Sequence, residues 1–165
     1  MLKLFYAMRE LDFSQLSQVY RESLRYDGEE NRPGSSAYQQ ISYAEGMLYE
    51  CFMTLFQNRG ICAVWLQNGN YVSVLRLEAC RDGYLIAGLE TAPGERGKGI
   101  ATMLMREVCR ALADQGVNVL YSHIRNSNRA SIKVHEKCGF FASLDHAVFL
   151  DGSVDTRSKT YIKKL

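Results

Sequence analysis

Apolar and polar positions alternate over residues 2–8, which predicts a first strand. From Phe13 the period lengthens. Phe13, Leu16, Val19 or Tyr20, and Leu24 fall at helical spacing, so residues 13–26 predict one helix with Asp12 as its N-cap. The polar stretch 27–34 reads as a loop. Ser35 or Ser36 can then cap a second helix to about Gln57, with Ile41, Met47 or Leu48, Phe52 and Leu55 along its apolar stripe. Residues 61–66 and 71–78 predict two strands joined by Gln67-Asn68-Gly69-Asn70, where Asn-Gly is a strong hairpin signal because both residues tolerate positive φ. A third strand, 84–91, ends at Ala92-Pro93-Gly94-Glu95, an order that suits a type II turn. A helix follows from near Lys98, with Ile100, Leu104, Val108 and Ala111 or Leu112 on one face and Gly116 at its C′ position. Residues 117–124 then predict a strand, 128–138 a helix stopped by Gly139, and 140–150 and 159–164 the last two strands.

Helices interleaved with strands predict one mixed α/β (α+β) layer structure over residues 1–165, with helices on both faces of a central sheet. Composition narrows the function. A formal charge of +2, with Lys and Arg scattered, argues against nucleic acid and anionic membrane surfaces as partners. No apolar stretch approaches the roughly 20 residues of a bilayer span. Residues 1–6 lack a leader pattern, and the expected location is cytoplasmic. Cys51, Cys62, Cys80, Cys109 and Cys138 form no Cys-x-x-Cys pair and read as reduced core residues. The three histidines are not at ligand spacing, so no metal is expected.

The stretch that carries chemistry is Leu89-Glu90-Thr91-Ala92-Pro93-Gly94-Glu95-Arg96-Gly97-Lys98-Gly99-Ile100-Ala101. It joins a strand end, a tight turn, a glycine-rich loop and a helix start. Backbone N–H groups converge at such a place, the helix N-terminus adds about half a positive charge, and Gly97 and Gly99 permit close approach by a phosphate. A nucleotide P-loop needs Ser or Thr after Gly-Lys, but Gly99 stands there. A dinucleotide fingerprint needs glycine at 102, where the residue is Thr102.

Arg96-Gly97-Lys98-Gly99-Ile100-Ala101 resembles the Arg/Gln-x-x-Gly-x-Gly/Ala pattern of the GNAT superfamily of N-acetyltransferases, and the downstream segment from Asn128 through His135-Glu136-Lys137-Cys138-Gly139-Phe140 is similar to a second segment of that family. The resemblance implies the element order β-α-α-β-β-β-α-β-α-β-β with a mixed, mostly antiparallel sheet. It implies acetyl-coenzyme A as cosubstrate, its pyrophosphate on the amides of Arg96, Gly97, Lys98, Gly99, Ile100 and Ala101. Leu89, Glu90 and Thr91 are similar in place to residues that pair with the pantetheine arm, and Asn128 to one that contacts it. Asn128 is equally suited to cap its helix.

In that family a tyrosine that protonates the leaving thiolate stands where this chain has His135, and helical spacing sets Asn128, Ser131 or Ile132, and His135 on one face. An imidazolium could give a proton to the thiolate, downhill by about 2.7 kcal/mol, although only about a quarter of an ordinary His is protonated at pH 7. For the incoming amine, Glu90 is the first candidate base and His123 the second. Strand alternation sets Tyr121, His123 and Arg125 on one face and Leu120, Ser122 and Ile124 on the other, with the acceptor face open. Neither Cys109 nor Cys138 has a recognisable base partner, so direct attack on the thioester is expected rather than an acyl-enzyme.

The family resemblance places the acceptor pocket among the first two helices and the last strands. Here the helices carry Tyr20, Tyr26, Asp27, Glu29, Glu30, Tyr38, Tyr43, Glu45, Tyr49 and Glu50, an aromatic and acidic set suited to a cationic amine. A small-molecule or a peptide amine fits equally, and a homodimer stays open. The alternative from another class is a coenzyme A-binding regulatory module without turnover, kept alive by His in place of Tyr.

Overall fold

The computed structural model describes residues 1–149 and 151–165. Among the described residues, nine strands and five α-helices follow in chain order: β1 (Leu2–Phe5), α1 (Phe13–Val19), α2 (Arg21–Asn31), α3 (Ala37–Gln57), β2 (Ile61–Gln67), β3 (Asn70–Cys80), β4 (Gly83–Thr91), α4 (Ile100–Asp114), β5 (Val119–Arg125), α5 (Arg129–Lys137), β6 (Phe141–Leu144), β7 (Ala147–Val148), β8 (Val154–Asp155) and β9 (Ser158–Lys164). Short 3₁₀ turns occupy Met8–Glu10 and Pro93–Glu95.

Seven strands form one sheet in the order β1-β2-β3-β4-β5-β9-β6, and β7 and β8 form a small hairpin apart from it. Within the sheet, β4 and β5 run parallel and the other neighbouring pairs antiparallel. The sheet is covered on both sides, so β2 and β3 are buried in unbroken runs and do not alternate with solvent. Cys62, Val64 and Val74 face α1, α2 and α3 around Phe52, Leu16 and Leu24. Ile61, Ala63, Leu75 and Leu77 face α4, whose Leu104, Met105, Val108 and Leu112 are buried against them. At about 25 cal/mol per Å² of apolar surface, these two layers supply the main drive to fold.

Local signals fix most element ends. Asp12 accepts from the Gln15 amide at 3.1 Å and caps α1. Ser36 and Gln39 form a reciprocal capping box on α3. Asn68 at φ 51° and Gly69 at φ 81° turn the β2–β3 hairpin, and Gly116 at φ 81° follows α4 as expected.

Five expectations are corrected. The helix over 13–26 is two helices, divided at Tyr20, because α1 packs on β3 while α2 packs along α3. Residues 27–31 of the expected loop are helical. Gly28 lies inside α2, where a Cβ would stand 2.6 Å from the Gln40 carbonyl oxygen of α3, so the glycine allows the two helices to touch. Pro93-Gly94 makes a 3₁₀ turn and not a type II turn: Gly94 keeps negative φ, and the Glu95 amide donates to the Ala92 carbonyl at 2.8 Å. The expected strand 140–150 divides into β6 and β7, with Leu150 outside the described residues, and β8 was not anticipated. Cys51 and Cys80 are only half-buried, unlike the other three cysteines.

Candidate active site

The sheet opens in its middle. β4 and β5 pair only from Tyr84 to Ile86 against Leu120 to Ser122. Just beyond, the β3–β4 register moves from Leu77 opposite Ile86 to Arg76 opposite Gly88, which leaves Ala87 as an extra, bulged residue. The Arg76 guanidinium donates to the Ala87 carbonyl at 3.1 Å, and a Cβ on Gly88 would meet it at 2.9 Å. The bulge turns β4 away from β5. The edge of β4 facing β5 is therefore unpaired past Ile86, and a cleft of about 770 Å³ fills the gap.

The cleft gathers the expected residues from three elements. Leu89, Glu90 and Thr91 line it from β4, Asn128 and His135 from the cap and body of α5, and Arg96, Gly97, Gly99, Ile100 and Ala101 from the loop and the start of α4. Lys98 is the exception: its ammonium turns back to Glu95 at 2.9 Å and does not line the cleft. Gly97 (φ 78°) and Gly99 (φ 79°) are left-handed, with no atom within 4 Å of where a Cβ would stand. The requirement for glycine there is one of backbone conformation and of open space on the cleft side. Gly99 is the N-cap of α4 and supplies no side-chain cap, and the first turn holds no acidic residue. The first amides of α4 thus face the cleft without a side-chain partner, as an anion site requires.

Arg96 is tied across the site. Its Nε donates to the Thr91 carbonyl at 3.0 Å, Nη2 pairs with Glu90 Oε1 at 2.9 Å, and Nη1 pairs with Glu22 of α2. The other Glu90 oxygen accepts from the Ser23 hydroxyl at 3.1 Å. Glu90 sits opposite Val74, which places it on the α1–α3 face of the sheet, while Leu89 packs on the α4 side. Asn128 caps α5 by accepting from the Ser131 amide at 3.1 Å, which commits its Oδ1 and leaves the Nδ2 donors for a ligand.

His135 is more enclosed than its place on a helix end suggests, at 1% exposure. Its Nδ1 lies 2.8 Å from the Ser131 carbonyl and must carry the hydrogen, since a carbonyl cannot donate. Nε2 is then an unprotonated acceptor, buried and without a partner among the described residues. Phe140 closes one side, edge to face at 5.0 Å. Burial lowers the pKa below the ordinary histidine value, against a smaller opposing effect of the Ser131 carbonyl, so the ring is neutral at pH 7. Burial also raises the thiols of Cys138 and of Cys109, the latter to about 11, which suits packing and not nucleophilic attack.

The aromatic and acidic set on the helices does not line the cleft. Tyr20 is buried against Phe52 at 6.1 Å, Glu29 pairs with Arg25 at 2.9 Å, and Tyr43 lies under the Arg32 guanidinium at 4.4 Å. The α2 residues that do reach the site, Glu22 and Ser23, were missed. Glu22 meets Arg96 across 74 positions of sequence, and no local signal joins them.

Comparison with known proteins agrees with this architecture. The profile of the acetyltransferase (GNAT) family matches residues 14–140, and the chain belongs to that family of acyltransferase enzymes. It is 37% identical over 65 residues to a streptothricin acetyltransferase of Streptomyces lavendulae. That match covers 39% of this chain and about a third (34%) of the relative's length. In fold the chain is similar to the PaiA N-acetyltransferase of Thermoplasma acidophilum in complex with coenzyme A, at TM-score 0.68 and 15% identity over 100% of this chain and 99% of that one. It is also similar to a phosphinothricin acetyltransferase of Sinorhizobium meliloti in complex with acetyl-coenzyme A, at TM-score 0.66 and 21% identity over 99% of this chain and 88% of that one.

Proposed function

We propose that this protein transfers an acetyl group from acetyl-coenzyme A to an amine, by direct attack of the amine on the thioester. The observation that carries the reading is continuity. One cleft runs from the uncapped start of α4, past two left-handed glycines, into the gap between β4 and β5. A pyrophosphate belongs on the amides of residues 96–101 and an extended arm along the open edge of β4, with Asn128 Nδ2 in reach of the arm. The acyl carbon then sits in the gap, open to the two faces of the sheet.

A thioester is already activated, so holding it beside an amine and polarising its carbonyl with a β4 amide can supply most of the rate. The amine enters from the α1–α3 face, where Glu90 and Glu22 favour a cation. The thiolate leaves towards α5. His135, neutral and with a buried Nε2 lone pair that lacks a partner among the described residues, serves there as hydrogen-bond acceptor for the thiol of coenzyme A once the sulfur is protonated. A small-molecule amine or a peptide N-terminus both suit this geometry.

Two measurements test the reading. Acetyl-coenzyme A should raise the melting temperature of the protein, while ATP and NAD should not. Thiol release should then appear with at least one member of an amine panel covering aminoglycosides, polyamines, amino acids and peptides. Stabilisation by acetyl-coenzyme A without thiol release from any amine would replace this reading with that of a coenzyme A-binding regulatory module.

A further inference from the structure

An alkylamine in neutral water is an ammonium ion and has no lone pair for attack until a proton leaves. An acceptor for that proton is needed on the α1–α3 side of the gap. Glu90 is on that side, but both its carboxylate oxygens are engaged. Oε1 meets the Arg96 guanidinium and, at 3.3 Å, the Thr91 amide, and Oε2 meets the Ser23 hydroxyl. Neither oxygen is left without a partner to receive the ammonium proton.

His123 stands across the gap on the same face. Leu85 is paired with Tyr121 on the side away from the Ile86 core, and His123 follows two residues on. The residue lines the cleft. Two contacts set the ring, one of them fixed by a further hydrogen bond. The Thr160 hydroxyl of β9 has one hydrogen, which goes to the His146 carbonyl at 2.8 Å. Its oxygen is therefore an acceptor for His123 Nδ1–H at 3.2 Å. The Phe149 ring meets His123 edge to face, 5.1 Å away at 71°. The proton is thus on Nδ1, and Nε2 presents a lone pair that no described residue hydrogen-bonds or buries. Burial keeps the ring neutral, with the Val148 carbonyl as the opposing influence and no contribution from an ionised side chain. The charged and titratable groups on the elements packed against it include Tyr121 and Arg125 on its own strand, Glu90 on β4, His146, and the Asp145–Lys159 pair beside β9.

We infer that His123 is the general base of the reaction, with Thr160 as the positioning residue that fixes its tautomer. The assignment rests on the acetyl-transfer reading above. Nε2 takes one proton from the ammonium. The freed nitrogen lone pair forms the C–N bond, the C–S bond breaks, and the sulfur leaves with its electron pair. The amide nitrogen loses a second proton. Of the two protons, one ends on the coenzyme A sulfur and the other returns to solvent as the imidazolium is discharged.

The experiment compares wild type with His123→Gln, Thr160→Val and Thr160→Ser, using the best amine from the panel. Glutamine keeps a donor for Thr160 but accepts no proton, so kcat should fall about 10²-fold or more, with the melting shift from acetyl-coenzyme A unchanged. The acidic limb of the pH–rate profile should flatten. Hydroxylamine, largely unprotonated at neutral pH, should recover most of the lost rate. Thr160→Val should lower kcat with little change in KM for the amine, and Thr160→Ser should restore it. A His123→Gln enzyme with the wild-type rate or the wild-type acidic limb overturns the assignment and leaves acetyl transfer standing. A wild-type protein that releases no thiol with any amine removes both.

Discussion

The half of the molecule that faces the cosubstrate and the half that faces the acceptor are built on different principles. The first runs almost continuously along the chain: β4, the glycine loop, α4, β5 and α5 occupy residues 83–137 in order, and their ligand-facing groups are largely backbone amides. The second is assembled from afar. Glu22 and Ser23 of α2 meet Glu90 and Arg96, and His123 is set by Thr160, His146 and Phe149. A backbone-built site depends on φ and on caps, which neighbouring residues dictate. A side chain-built site depends on how separate elements pack, and can change ligand without changing fold. Arg96 belongs to both halves: it starts the loop and holds two carboxylates of the acceptor side.

Two substitutions should separate the halves, the first with the larger effect. Gly99→Val forces a β-branched residue into a left-handed conformation where the space is open but the backbone is not allowed, at a cost of about 2 kcal/mol. Acetyl-coenzyme A affinity, measured by calorimetry, should fall roughly 30-fold, and the melting temperature of the free protein should drop by several degrees. Equal affinity would mean that the loop is not the pyrophosphate site. Gly28→Ala acts in the other half. Its Cβ would stand 2.6 Å from the backbone oxygen of Gln40, so α2 must shift off α3, at about 1–2 kcal/mol of stability. Because α2 carries Glu22 and Ser23, KM for the amine should rise while cosubstrate affinity holds. A parallel loss of both would show that the halves are mechanically one.

The same division explains what could be read from residues alone. Asp12, Ser36, Asn68-Gly69 and Gly116 announce caps and left-handed turns through their own chemistry, and each lies where expected. Gly28 misleads for the same reason. A glycine beside Asp and Glu reads as a loop, yet its purpose is the closeness of a helix 12 positions away, which only the tertiary structure reveals. Tyr20 interrupts a regular helical pattern without proline or glycine, because α1 and α2 have different partners. Lys98 belongs to the motif, yet it is drawn off by Glu95, three residues back. The enclosure of His135 follows from Phe140 and the Ser131 carbonyl, neither of which spacing on a helix could weigh.

A third variant tests whether Asn128 belongs to the backbone-built half as a cap alone. Asn128→Ala removes the bond to the Ser131 amide and should cost about 1 kcal/mol of stability. Asn128→Asp keeps the cap and removes only the Nδ2 donors. If the side chain also holds the pantetheine arm, the Asp variant should melt like wild type yet bind acetyl-coenzyme A several-fold more weakly. Unchanged binding in the Asp variant would reduce Asn128 to its capping role.

The smallest effect concerns His135 and pH. Its folded pKa lies below the ordinary value because burial opposes the charge, so the unfolded chain takes up a proton more readily than the folded one. Where the unfolded state binds more protons, stability rises with pH. The contribution of His135 is therefore complete above the unfolded value, about 6.5, and is lost as pH falls below it. His123, lowered by burial in the same direction, adds a second loss of the same sign in that window. Urea unfolding between pH 7.5 and 5 should show wild type losing stability on the acid side. His135→Phe, which keeps a ring beside Phe140 and removes one of the two titrations, should show a shallower decline without abolishing it. An identical decline in the variant would mean that His135 is protonated as easily in the folded protein as in water. The thiolate would then leave beside an imidazolium able to give it a proton, and the neutral-acceptor role proposed for the ring would fail.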